Sequence, residues 1–141
     1  MDTSEKYIKM CEMAKEIQSR PRSYPGDVWH HEKWGIGIAN YHYPKLPSDE
    51  GAEKVFWFDG YGSKTVLEVG RPVIVGGTFT WLPRQDQLQE MVKATPKKDN
   101  LVPNTGFWAW NKMKTWEQLW LAFIMFKKFH KTWDDEKQEW I

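Results

Sequence analysis

Apolar residues recur at helical spacing near the start of the chain, where they form a narrow stripe between polar positions. The stripe consists of Met10, Cys11, Met13, Ala14 and Ile17. It predicts a helix over residues 4–18 that lies on the domain surface with the stripe facing inward. The side chains of residues 2–4 can cap this helix, and Pro21 and Pro25 prevent it from continuing.

The middle of the chain is rich in β-branched and aromatic residues, which predict five strands. We place these strands at residues 28–31, 35–43, 54–58, 64–69 and 73–80. The clearest hairpin joins the third strand to the fourth, because Gly60 and Gly62 between them supply the positive φ values of a tight turn. Gly76 and Gly77 predict a break or bulge in the last strand.

A middle helix follows the strands. Pro83 is well placed in its first turn, since the proline nitrogen carries no hydrogen that would remain unpaired there. Leu88, Met91 and Val92 lie on one side of this helix, and its glutamines lie largely on the others. We therefore expect one face of the middle helix to be buried and the rest to be polar.

The last helix is predicted by a capping box, in which the side chains of Thr115 and Gln118 satisfy each other's free backbone amides. The helix extends over residues 116–131 and is apolar nearly all round for two turns, so we expect it to be buried on both sides. One face of this helix holds Trp116, Leu119, Trp120, Phe123 and Ile124, and another holds Leu121, Met125 and Phe126. The chain as a whole is thus predicted to be a single α+β domain over residues 1–141, in which a small antiparallel sheet packs against an N-terminal, a middle and a buried C-terminal helix.

Composition narrows the class of protein. A chain of 141 residues can bury about two-thirds of its unfolded surface, so it needs no disulfide or structural metal to fold. It has one cysteine, and its first residues lack the apolar run of a signal peptide. The longest apolar run, residues 119–126, is far shorter than the roughly 20 residues that cross a bilayer. We therefore expect a cytoplasmic protein that has no membrane partner.

Charge and aromatic content bear on possible partners. Twenty basic residues balance nineteen acidic ones, so no overall field attracts nucleic acid or anionic lipid. Ten tryptophans are more than a core of this size needs, and large aromatic rings dominate the energetics of cores and interfaces alike. Some of them are expected at an interface, and the all-round apolar last helix leaves a homodimer open.

The residues that could support catalysis or metal binding do not form a recognisable constellation. His30 and His31 are adjacent on a predicted strand and point to opposite faces, so they cannot easily bind one ion. Cys11 lies on the apolar stripe, where a cysteine behaves as a small buried hydrophobe. Two glycine pairs, Gly35 with Gly37 and Gly76 with Gly77, match neither a phosphate loop nor a dinucleotide fingerprint. We expect no metal, cofactor or catalytic residue, and a small enzyme that uses His30, Glu32, Asp59 or Cys11 is the second alternative.

Two polar or aromatic clusters are candidate binding sites. The first is the start of the middle helix, where Arg84, Gln85, Asp86 and Gln87 can form adaptable hydrogen bonds or simply face solvent. The second is Trp108 and Trp110 near Lys112 and Lys114, a combination that can stack bases and contact phosphates. These two tryptophans can equally be buried at the entrance to the last helix.

Two sequence motifs resemble those of small uncharacterised proteins encoded by bacterial phages and prophages. The motifs are WLPRQDQLQEM, at residues 81–91, and EQLWLAF, at residues 117–123. The resemblance implies an accessory protein made in the cytoplasm of an infected or lysogenic bacterium, and it implies no reaction. Small accessory phage proteins often act by binding.

These observations favour a noncatalytic phage binding protein that inhibits or sequesters a component of host defence or host machinery. Its partner is expected to be a host protein or a small nucleotide-like ligand. The first alternative is a protein that binds single-stranded nucleic acid or a nucleotide, for which the tryptophans and lysines near residue 110 are the motivation.

Overall fold

The computed structural model describes residues 1–18, 24, 26–40, 55–58, 64–68, 71–74, 78–93 and 112–141. Its helices are α1 Glu5–Met13, α2 Lys15–Gln18, α3 Gln85–Lys93 and α4 Trp116–Phe129. Its strands are β1 Val28–His31, β2 Gly35–Asn40, β3 Val55–Phe58, β4 Lys64–Glu68, β5 Arg71–Ile74, β6 Phe79–Leu82, β7 Trp133–Asp134 and β8 Glu139–Trp140. The α+β class that the sequence predicts is confirmed.

The chain groups into two compact units. One contains Met1–Gln18 and Pro83–Ile141, and therefore all four helices and the β7–β8 hairpin; the other contains Ser19–Leu82 and the six remaining strands. The single domain over residues 1–141 stays a prediction. In the described part of the chain, no helix is long and apolar enough to cross a membrane.

The strand unit forms one sheet in the order β5-β4-β3-β2-β1-β6. Its described pairs are antiparallel, as predicted, except that β2 and β3 run parallel, with Ile38 opposite Val55. Parallel neighbours need a connection of about a dozen residues or more, and residues 41–54 separate these two strands. The predicted hairpin of β3 and β4 is present, with Phe56 opposite Val66; its turn lies outside the described residues.

The strand predicted over residues 73–80 is in fact two strands at opposite edges of the sheet. β5 pairs with β4, and β6 pairs with β1. Gly76 and Gly77, which were expected to interrupt the strand, lie outside the described residues. Strand propensity shows that both segments are extended, but only pairing determines which neighbour each one chooses.

The β1 register places two large indoles on one face of the sheet. Trp29 lies opposite Gly37 on one side and opposite Trp81 on the other, and both tryptophans are buried. Residues opposite each other in a ladder share a face, so Trp29, Gly37 and Trp81 lie on the same face of the sheet. Ile36 and Ile38 alternate with Gly37 and are exposed on the other face.

The helix predicted over residues 4–18 is divided at Ala14. The ψ angle of Ala14 is 65°, outside the helical range, and its amide donates to the carbonyl oxygens of both Met10 and Cys11. The side-chain amide of Gln18 donates to the Cys11 carbonyl oxygen at 3.0 Å, which supplies a further donor at the end of α1. The predicted stripe faces inward, since Met10, Cys11, Ala14 and Ile17 are buried.

Helix α4 is the core of the helical unit. Its eight consecutive residues from Gln118 to Met125 are buried, as expected for a helix that is apolar nearly all round. Both α1 and α3 pack against it. The β7–β8 hairpin is fastened to α1, because the indole Nε1 of Trp140 donates to the Met10 carbonyl oxygen at 2.9 Å. The short strand predicted near residues 107–110 lies outside the described residues.

Candidate functional site

The start of α3 is held in place by local and long-range hydrogen bonds. The Leu88 amide donates to the Arg84 carbonyl oxygen at 3.0 Å, and the Arg84 amide donates to Oε1 of Gln87 at 2.9 Å. This second bond is the return half of a capping box, with Arg84 at the position before the helix. The Tyr7 hydroxyl donates to the Pro83 carbonyl oxygen at 2.5 Å from α1. The backbone that carries Arg84 is therefore anchored on both sides.

The Arg84 guanidinium faces the carboxylate of Asp86 on the surface. Nε of Arg84 lies 3.2 Å from Oδ1 of Asp86, and Nη2 lies 3.4 Å from Oδ2. The side chains of Arg84 and Asp86 are 39% and 68% exposed. The hydrogen bond from Arg84 lowers the pKa of Asp86, against a smaller opposing effect of burial, and the attraction of the guanidinium lowers it further. The carboxylate thus remains ionised and orients the guanidinium.

The four predicted site residues at the start of α3 lie together, although they are not equally accessible. Asp86 is exposed, and Arg84, Gln85 and Gln87 are partly exposed. Leu88 and Val92 are buried, as the sequence pattern predicts, whereas Met91, which was predicted on the same side, is partly exposed. The other two predicted site residues, Trp108 and Trp110, lie outside the described residues.

Trp116 is an exposed aromatic residue at the start of α4, and the sequence alone did not show which tryptophans are exposed. Helical spacing puts it on one face with the buried Trp120, yet it is 56% exposed. Thr115 is the N-cap of α4, so Trp116 is the first residue of the helix and lies beyond the level at which α4 is buried all round. The capping box indicated that Trp116 begins the helix, whereas the period of the apolar pattern did not indicate that it is exposed.

A buried polar cluster joins the N-terminal segment to the start of α4. The Asp2 carboxylate accepts hydrogen bonds from Nε2 of Gln118 at 2.7 Å and from the Thr115 hydroxyl at 2.6 Å. It also accepts from the Ser4 amide at 2.8 Å. Burial raises the pKa of Asp2, but these hydrogen bonds together outweigh burial, and the pKa lies below its usual range. The sequence marked Asp2 only as one of three possible helix caps.

The capping box is formed differently from its sequence pattern. The Gln118 amide donates to Oγ1 of Thr115 at 3.2 Å, as predicted. The Gln118 side chain, however, accepts from the Lys114 amide and donates to Asp2. The side-chain amide of Gln118 was expected to form only a local hydrogen bond, but it donates to Asp2, which is distant in sequence.

Of the candidate catalytic residues, Cys11 packs in the core, whereas His30 is partly exposed and Glu32 is exposed. Cys11 is fully buried, and burial raises the pKa of its thiol, although a hydrogen bond with Tyr7 opposes this. His31 is buried, and its Nδ1 accepts from the Lys33 amide at 3.1 Å and the Trp34 amide at 3.3 Å. Both side chains therefore have structural roles. Asp59 lies outside the described residues.

The described residues hold no group of three or more histidine, cysteine, aspartate or glutamate side chains that could bind a metal ion. The two strand histidines are separated as expected, since His30 is partly exposed and its neighbour His31 is buried. Adjacent positions on a strand point to opposite faces of the sheet.

Comparison with known proteins does not assign the chain to a family. No protein-family model, curated protein or solved structure matches it.

Proposed function

We propose that this chain is a noncatalytic binding protein that inhibits or sequesters a host protein, and that it contacts this partner through the start of α3. The proposed setting is the cytoplasm of a bacterium that carries a phage or prophage. The resemblance of the motifs at residues 81–91 and 117–123 supports this setting. The first of these motifs contains the start of α3.

The observation that carries the proposal is the oriented, exposed pair of Arg84 and Asp86. Arginine is enriched among the residues that contribute most to protein–protein binding. Holding a guanidinium in one geometry before binding reduces the side-chain entropy that binding would otherwise cost. The pair is worth little to the stability of the free protein, since exposed ion pairs contribute about 1 kcal/mol or less. Its main effect is therefore expected on binding.

Gln85 and Gln87 complete the proposed contact surface at its edge. Gln87 has its Oε1 on the Arg84 amide, so it fixes the backbone that carries the guanidinium. Gln85 is partly exposed in the first turn of the helix and can donate to or accept from a partner. The arrangement suits an adaptable polar contact around one arginine anchor.

The experiment begins by identifying the partner. The full chain, tagged at its C-terminus, is purified from phage-infected host cells, and native mass spectrometry reads the proteins and small molecules that remain bound. Affinity for the purified partner is then measured by calorimetry for the wild type and for Arg84→Ala, Asp86→Asn and Lys93→Ala. Lys93 is the matched control, because it forms a similar exposed ion pair with Glu90 at the other end of α3.

Arg84→Ala is expected to weaken binding by about 2 kcal/mol, or roughly 30-fold. Asp86→Asn keeps the arginine and removes its orienting charge, so a smaller loss is expected. Lys93→Ala should bind as the wild type does. If a correctly folded Arg84→Ala variant binds every purified partner as tightly as the wild type, the surface assignment is wrong. If a nucleotide and no protein is retained, the proposed class of partner is wrong.

A further inference from the structure

The segment that leads into α4 exposes alternate residues. Lys112 and Lys114 are exposed, Met113 between them is buried, and Trp116 is 56% exposed. The three exposed residues thus alternate along the sequence with the buried Met113 and the partly exposed Thr115. We call these three side chains the Lys112–Trp116 strip. It is distinct from the start of α3.

Both lysines of the strip are available to an external anion. In the part of the chain that the structure describes, neither ammonium group lies within 4.0 Å of a carboxylate. Burial raises the pKa of Asp135, but hydrogen bonds from Lys6 and Trp133 and, to a smaller extent, the charges of Lys6 and Lys112 lower it below its usual range; Asp135 is paired with Lys6 at 2.7 Å. Glu117 lies 3.7 Å from the N-terminal ammonium group. The neighbouring acids are thus compensated by other cations.

An exposed indole that is two and four residues from exposed lysines matches the chemistry of single-stranded nucleic acid. Bases present flat π faces that stack on aromatic side chains, and this contact tolerates any sequence. The phosphates between bases are contacted by lysines, with the release of condensed counterions. A double helix keeps its bases stacked on one another, so it cannot offer a base face to Trp116.

We propose that the Lys112–Trp116 strip binds single-stranded nucleic acid, with a base stacked on the Trp116 indole and phosphates contacted by Lys112 and Lys114. This binding does not depend on the contact proposed for Arg84. It adds a second ligand class to the chain, on residues that the first contact does not use. No covalent step is involved.

The test is fluorescence anisotropy of a labelled oligothymidylate titrated with the full chain, repeated between about 50 and about 200 mM salt. The variants are Trp116→Ala, Lys112→Gln and Lys114→Gln. Two matched controls are Lys137→Gln, an exposed lysine in the β7–β8 turn, and Phe126→Ala, an exposed aromatic residue on the same helix. Circular dichroism confirms that each variant is folded.

Trp116→Ala is expected to weaken binding about 5- to 150-fold without changing the salt dependence. Each lysine variant should reduce the slope of log K against log salt by about 0.7. The controls should bind as the wild type does. If Trp116→Ala does not fold, a reduced slope in both lysine variants still supports the site.

Three results would overturn the proposal. The first is no change in anisotropy at the lowest salt concentration. The second is equal weakening by the strip variants and their controls, which would indicate unspecific attraction. The third is equally strong competition by polyglutamate or by double-stranded DNA, since either would show that the strip recognises negative charge alone and that base stacking plays no part.

Discussion

Replacing Asp2 with alanine removes the acceptor at the centre of the polar cluster that joins the N-terminal segment to α4. Three donors point to this carboxylate: the Ser4 amide, the Thr115 hydroxyl and Nε2 of Gln118. The carboxylate also lies close to the N-terminal ends of α1 and α4, where the helix dipoles favour negative charge. We therefore expect the substitution to destabilise the helical unit.

The expected loss in the free energy of unfolding can be worked out from the three hydrogen bonds that Asp2 accepts. A hydrogen bond to a charged group contributes about 1.5–3 kcal/mol, so three such bonds set an upper limit of about 4.5–9 kcal/mol. Part of this is recovered, because Nε2 of Gln118 also lies 3.3 Å from Oγ of Ser4 and the Thr115 hydroxyl can rotate to another acceptor. Removing a buried charge also relieves its desolvation cost. We expect a net loss of about 2–4 kcal/mol in the free energy of unfolding.

The assay is urea unfolding at neutral pH, followed by far-ultraviolet circular dichroism, with a C-terminal tag so that the residues before Asp2 are unchanged. The midpoint should fall while the slope of free energy against urea stays constant, as expected when stability changes and the exposed surface does not. Asp135→Ala is the control. Asp135 is half-exposed in its ion pair with Lys6, so its loss should cost less than about 1 kcal/mol.

Two outcomes would refute this reasoning. If Asp2→Ala loses less than about 0.5 kcal/mol, which is the scatter of ordinary surface substitutions, the cluster does not hold α4 to the N-terminal segment. If Asp2→Ala and Asp135→Ala lose equal amounts, the effect reflects general surface charge. A selective loss at Asp2 would show that its buried hydrogen bonds are the cause.

Three further predictions concern the same unit. The folded-state pKa of Asp2 is depressed, so its contribution is present above the unfolded pKa of about 3.9 and is lost as pH falls through the folded value; urea midpoints measured below about pH 4 should decline more steeply for wild type than for Asp2→Ala, and equal slopes would contradict this. Tyr7→Phe leaves the Pro83 carbonyl oxygen without its buried donor and should cost about 1–2 kcal/mol in urea unfolding, whereas an unchanged midpoint would show that the bond contributes nothing. Cys11 should react with a thiol reagent only when the protein is unfolded, because burial both covers the sulfur and raises the pKa of the thiol; rapid labelling of the native protein would contradict its position in the core.

The helix starts show how far local sequence carries the prediction. Proline before α3 and threonine before α4 are local signals, and both helices begin close to the positions that these residues predict. The start of α3 was predicted as one polar cluster for the same reason, since Arg84 to Gln87 are consecutive. The hydrogen bonds among these residues could not be predicted from the sequence, because two side chains that are two residues apart can also face solvent separately.

The exposure of Trp116 and the pairing of the strands show what a local sequence pattern cannot predict. Trp116 lies at helical spacing from the buried residues of α4 but is exposed. Its burial depends on which residues pack beside the first turn of the helix, and the sequence pattern does not indicate them. The predicted strand over residues 73–80 became two strands, because each segment paired with a different neighbour. The parallel pairing of β2 and β3 also depends on contacts between segments that are distant in sequence, so strand propensity did not predict it.

Local patterns were sufficient to predict the α+β class, most of the strand positions and the all-round burial of α4, because backbone propensity, capping and hydrophobic period act over a few residues. The sheet order, the exposure of Trp116 and the role of Asp2 followed only from the structure. Asp2 meets Gln118 across 116 positions of sequence. Contacts of this kind arise when whole elements pack, so no local pattern encodes them.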